Sequence, residues 1–193
     1  REQPLSGFLT AVAGRSNRID RQFLRVEAAV AGIAAATTQL LQNGRPDPGP
    51  YYTVAGFSDP GGRPPDLAPA PSYGAPVSAA WPDIKIAPGV EESAIEDTIR
   101  RLTPLRHTYR RLFTELAAAG APGGTAPSPE VVIGQRALPI AWAYVGLEAG
   151  FLSSYPAVGD YPEAYDPRER PWYREAVEHT GTAWVRPYVD VAG

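Results

Sequence analysis

Cysteine and methionine are missing from this 193-residue chain, and lysine occurs once, at Lys85, against 17 arginines. Without cysteine there is no disulfide framework and no thiolate metal site. The 2 histidines, His107 and His179, are too few for a multi-histidine metal site. Methionine is lacking even at position 1, as expected of a processed chain or of part of a longer one. The preference for arginine over lysine is read as a base-composition bias of the gene. No block of like charge occurs and the net charge is −3, so the basic face that a nucleic-acid partner requires is missing. No unbroken apolar run reaches the roughly 18 residues of a membrane span, and no signal peptide is recognised, so neither is expected within the chain. Such segments in an intact gene product would lie outside it.

What is present begins with a long amphipathic pattern. Val12, Ile19, Val26, Ile33 and Leu40 recur every seven residues between about Leu5 and Gln42, with Phe23, Val30 and Thr37 interleaved. This is an a/d seam with a polar back that carries Arg15, Arg18, Arg21, Arg25 and Glu27. A helix of that length runs about 55 Å at 1.5 Å per residue, longer than a small domain is wide. It is expected to span two stacked modules; a homodimer seam is the sharper alternative. Asn43-Gly44 and Pro46 supply the stop. Residues 44–90 then hold 11 of the 22 prolines, which leaves few regular hydrogen-bond ladders. Tyr51, Tyr52, Phe57, Tyr73, Trp81, Ile84 and Ile86 are too many large apolar groups for a tether. This stretch therefore reads as an irregular wrap along the helices, with a short strand near Ile84–Ile86, and as covering structure rather than a site.

From about Glu91 to Ala119 the apolar positions Ile95, Ile99, Leu102, Leu105, Tyr109, Leu112, Phe113 and Leu116 predict a second helix, kinked or split at Pro104. After a Gly/Ala/Pro loop, Ile140–Phe151 alternates, with Ala141, Ala143, Val145 and Leu147 on one face and Trp142, Tyr144, Gly146 and Glu148 on the other. Gly150 as the turn makes this a hairpin whose second strand is Phe151–Tyr155. A short helix is expected between Asp166 and Gly181, then a strand over Trp184–Val191. The order is long helix, wrap, helix, hairpin, short helix, strand: an α+β arrangement with helices on one side of an antiparallel sheet.

The segment from Tyr165 to Asp190 carries the chemistry. Arg170 offers a planar fork for a carboxylate. Asp190 offers the countercharge for an ammonium, and Tyr188 an aromatic face for the same cation. Strand alternation puts Trp184, Arg186, Tyr188 and Asp190 on one face and Val185, Pro187, Val189 and Val191 on the other, with a free edge or bulge at Pro187. Such a wall suits a small zwitterion. Taken singly, Arg170 suits a salt bridge to Asp166 or Glu169, Tyr173 a core aromatic, and Asp190 a turn cap.

Trp142-Ala-Tyr-Val-Gly-Leu-Glu-Ala-Gly150, Tyr155-Pro156, Tyr165-Asp-Pro-Arg-Glu-Arg-Pro-Trp-Tyr-Arg-Glu-Ala176, Gly181, Trp184 and Pro187-Tyr-Val-Asp190 together resemble the double Cache sensor domain of bacterial chemoreceptors and sensor kinases. By motif the resemblance covers roughly Trp142 to Gly193, and by layout the rest. It implies an extracytoplasmic (periplasmic) domain of an inner-membrane protein, with residues 1–43 as a stalk helix, 44–90 as the wrap, and 91–193 as a helix plus the PAS-like, membrane-distal Cache module. The amino-acid-binding members carry a tyrosine, an arginine five positions on, a tryptophan two further, a tyrosine sixteen later and an aspartate two beyond. Tyr165, Arg170, Trp172, Tyr188 and Asp190 meet each interval. The resemblance implies that the first three hold the ligand carboxylate and the last two the ammonium, with Trp142 and Tyr144 as pocket lining. A further family aspartate downstream falls after Gly193. The expected partner is thus an amino acid or related amine-carboxylate, with no cofactor, no metal and no nucleic acid, and with a homodimer along the long helix as a candidate assembly.

An enzyme is the weaker reading. No nucleophile is set with a base, and Glu148 and Glu163 are posed as a carboxylate pair by nothing in their spacing. Gly61-Gly62 and Gly123-Gly124 lead to no lysine and helix start, so they are not phosphate cradles. A ligand-free domain that captures a periplasmic partner would keep the helical seam without needing Arg170 and Asp190 in one cleft.

Overall fold

The computed structural model describes residues 3–118, 127–134 and 140–189. Helix α1 (Gln3–Asn43) ends where the Gly44 N–H donates to the Leu40 carbonyl. Its apolar seam is used only in part. Ala29, Ile33 and Thr37 are buried against the rest of the protein, whereas Val12, Ile19, Phe23 and Val30 are exposed. At 1.5 Å per residue, 41 residues make about 60 Å, and residues 7–25 are exposed throughout. By length and composition α1 is apolar enough to cross a membrane, although it holds no unbroken apolar run of span length.

The proline-rich stretch packs along the helices, and besides the strand expected near Ile84–Ile86 it contributes a small hairpin. Two 3-10 turns, Val54–Ser58 and Pro60–Gly62, precede a small hairpin of β1 (Ala68–Ala70) and β2 (Ala75–Val77). Then β3 (Asp83–Ile86) joins the main sheet. Arginines fasten the wrap. Arg100 donates to the Asp47 and Gly49 carbonyls, Arg101 to that of Gly44, and Arg106 lies 4.3 Å over the Trp81 ring.

The second helical pattern is split at Pro104 into α2 (Glu92–Leu102) and α3 (Leu105–Ala118). Pro104 lacks the N–H that a continuous helix would use. A short α4 (Pro129–Ile133) is capped by Ser128. The hairpin of β4 (Ala143–Leu147) and β5 (Phe151–Tyr155) follows, turning at Gly150 with φ +85°. A Cβ there would stand 2.7 Å from Val90 Cγ2, so glycine is required for both conformation and space. Last comes α5 (Pro171–Glu178), preceded by a 3-10 turn at Pro167–Glu169.

The main sheet is antiparallel in the order β3-β5-β4, giving the α+β fold expected. Its central strand, β5, is buried along its whole length. One face meets the helices. Tyr155 stacks on Tyr109 at 5.7 Å and meets Phe113 edge-on at 4.9 Å, while Phe151 packs with Ile84, Ile95, Ile99 and Leu102. The Tyr155 hydroxyl donates to the Ala79 carbonyl and the Tyr109 hydroxyl to that of Ser153, so both phenols are satisfied inside the core.

The expected strand over Trp184–Val191 is not formed among the described residues: 182–189 is a largely exposed segment outside any strand or helix. Alternation alone does not create a strand. Pro187 has no N–H to give, and Trp184 is engaged elsewhere. Its indole N–H donates to Glu27 Oε1 at 2.7 Å and its ring meets Phe23 at 4.7 Å, both on α1.

Candidate functional site

The face of the sheet away from the helices is set by register. Asp83 pairs with Ser154 and Ser154 with Tyr144; one step along, Lys85 pairs with Leu152 and Leu152 with Gly146. Directly paired residues share a face, so these six side-chain positions form one floor. The chain between β5 and α5 returns over it. The Tyr161 hydroxyl donates to Ser154 Oγ at 3.0 Å, and Lys85 Nζ donates to the Glu163 carbonyl at 2.9 Å. Asp83 Oδ2 accepts the N–H groups of Val158 (2.9 Å) and Gly159 (2.7 Å).

The motif residues stand at the far end of this cover. Tyr165 is buried against Tyr161, with ring centroids 4.9 Å apart, and the Arg170 guanidinium lies 5.5 Å over the Tyr165 ring. Asp166 caps the 3-10 turn by accepting the Arg168 N–H, and Arg168 grips the same carboxylate through Nε and Nη2. That pairing holds the Asp166 carboxyl below its usual range. Pro171 fixes the first turn of α5, so Arg170 projects from the helix N-cap with Trp172 and Tyr173 just inside. Trp172 lies 4.8 Å from the Tyr144 ring and directly on Gly146, where a Cβ would come within 2.6 Å of its ring. Its Nε1 is buried and has no hydrogen-bond partner among the described residues.

Tyr165, Arg170, Trp172 and Tyr144 are therefore gathered on one side of the sheet. Trp142 is directed to Tyr73 instead, with ring centroids 5.2 Å apart. Tyr188 is half-buried in the irregular segment after α5, not in the strand expected for it. Asp190 lies outside the described residues. A shallow crevice with no room for a ligand lies on the opposite, helix-facing side, lined by Tyr51, Trp81, Ile84, Ile99, Leu102 and Ser153. It is apolar and contains none of the motif residues.

Sequence reasoning overlooked four polar groups of the floor and cover: Asp83, Lys85, Ser154 and Tyr161. Asp83 is fully buried, and desolvation raises its pKa to about 7 against the pull of its two N–H donors. Lys85 is 8% exposed; desolvation lowers its pKa, and the Glu163 charge partly opposes this. The signal was present in Asp83-Ile-Lys-Ile86, where two charged residues alternate with two apolar ones inside a proline-rich stretch.

No protein-family model matches the chain. Over 64 residues, 32% of this chain, it is 36% identical to the methyl-accepting chemotaxis protein McpG of Pseudomonas putida, a match that covers 10% of that receptor. Over 53 residues, 27% of this chain, it is 42% identical to the methyl-accepting chemotaxis protein McpC of Bacillus subtilis, covering 8% of it. The matches thus span about a tenth of each receptor's length and show a short-range relationship to chemoreceptors.

Proposed function

We propose that this chain is the extracytoplasmic sensor part of a membrane-anchored receptor, of the double Cache type, and that it binds a small amino acid on the outer face of its sheet. The observation that carries the reading is the Trp172 indole N–H, buried without an acceptor among the described residues and two positions from Arg170. A ligand carboxylate placed between them would accept from the indole and from the guanidinium, whose fork suits a planar anion. The N-terminus of α5 adds a favourable field for the same charge. Tyr165 fixes the guanidinium from below, and Tyr144 braces the indole. Tyr188 and Asp190 are assigned the ammonium by their motif intervals. In this reading the ligand joins α5 to the sheet and stabilises one arrangement of the cover, which biases the receptor through α1. The similarity to two chemotaxis receptors supports the sensing role. The exposed apolar row Val12, Ile19 and Phe23 supports pairing of two copies along α1.

Isothermal titration of the protein in its full gene product against the proteinogenic amino acids tests the proposal. Binding of at least one of them is expected. Arg170→Ala should abolish it while leaving the melting temperature nearly unchanged. Heatless titrations throughout, or an Arg170→Ala protein that unfolds, would count against the site as described.

A further inference from the structure

We propose that Lys85 is a ligand-contact residue that takes a second carboxylate, so that the site selects an acidic amino acid over its neutral counterparts. The inference rests on the amino-acid reading above and adds the side-chain preference. Lys85 Nζ has three donors, and the bond to the neutral Glu163 carbonyl uses one. Among the described residues no carboxylate stands within ion-pair distance of it. The Glu163 charge, beyond ion-pair distance, offsets the burial of this ammonium only in part, so a closer anion is favoured.

Its position is suited to a ligand held by Trp172. Lys85 and Gly146 flank Leu152 on one face, and Trp172 rests on Gly146. Lys85 therefore faces Trp172 across two strand spacings, about 10 Å between backbones. The long, flexible lysine stem spans part of that gap. An α-carboxylate at Arg170 and Trp172, then one or two methylenes and a second carboxylate, spans the rest. Tyr161 and Ser154 stand beside the path, joined to each other by a hydrogen bond. The residue type fits as well. In a chain that otherwise uses arginine for every basic position, the one compact ammonium is on this floor. A bound carboxylate would also offset the desolvation that lowers the Lys85 pKa.

The test titrates glutamate, aspartate, glutamine, asparagine and alanine into the full gene product, wild type and Lys85→Met. The expected result is that an acidic amino acid binds at least about tenfold tighter than its amide, and that Lys85→Met removes the preference. Equal or better binding of glutamine, asparagine or alanine by the wild type overturns the role of Lys85 and leaves the amino-acid site standing. A preference that survives in Lys85→Met does the same. Failure of every amino acid to bind overturns both readings. If Lys85→Met does not fold, the wild-type acid-to-amide ratio decides.

Discussion

Asp83→Asn isolates one buried charge and has an effect that can be worked from its surroundings. Asp83 is fully buried, Oδ2 holds two backbone N–H groups, and Oδ1 has no partner among the described residues. Burial moves its pKa from 3.8 to about 7, so the folded protein keeps the proton to a higher pH than the unfolded chain does. Unfolding between those values releases a proton, and stability contributed by the neutral acid is lost as pH rises. It is fully present below about pH 4 and gone above about pH 7. A difference of roughly three pK units at 1.36 kcal/mol each gives about 4 kcal/mol over the window. Asparagine keeps the shape and the acceptor for Val158 and Gly159 but cannot ionise. Wild type and Asp83→Asn should therefore be close in stability near pH 4, and the variant should be ahead by up to about 4 kcal/mol near pH 8. Urea unfolding followed by far-ultraviolet circular dichroism across this range measures the difference. A gap that stays constant, or one that closes as pH rises, would refute the argument. It would mean that the two N–H donors hold Asp83 as a stable carboxylate at neutral pH.

Two further substitutions probe the Trp172 corner. Gly146→Ala brings a methyl group to 2.6 Å from the Trp172 ring and should push the indole off β4, at about 1–3 kcal/mol of overpacking. Loss of ligand heat together with a lowered melting temperature is expected; an unchanged protein would show that Trp172 yields without consequence. Trp172→Phe removes an N–H that has no partner among the described residues, so its thermal unfolding should stay close to that of the wild type. Amino-acid affinity should fall about tenfold or more, the worth of a hydrogen bond to a charged group, and calorimetry reads this directly.

Helices α1, α2, α3 and α5 and the hairpin were legible because their signals are local, whereas the five-residue α4 was not read. Pro104 broke the second helix where its missing N–H must break it, and Gly150 turned the hairpin where a positive φ was needed. The strand at 184–189 failed for the converse reason. Alternation specifies which side chains share a face but not which strand edge receives them, and Trp184 found Glu27 and Phe23 on α1, 157 positions away from the former. The same limit applies to α1, whose repeat marks a seam but not which turns are covered by the domain. In the site, the interval motif placed Tyr165, Arg170 and Trp172 on one stretch that folds back over the sheet. Asp83 and Lys85 were hidden by composition: in a run so rich in proline, a four-residue strand looks like part of the wrap. Only pairing with β5 reveals what those two residues face.

That pairing also bears on the order of assembly. β4 and β5 are joined by a three-residue turn, and a hairpin of this kind closes in microseconds. β3 must reach the other edge of β5 across more than sixty intervening residues, including both α2 and α3. Loop-closure entropy opposes that step until the helices have already drawn the chain together. The polar floor is thus split in time: Tyr144, Gly146 and Ser154 come with an early local unit, and Asp83 and Lys85 are delivered by a late, long-range addition. Hydrogen exchange pulsed during refolding should protect the β4–β5 amides before those of β3.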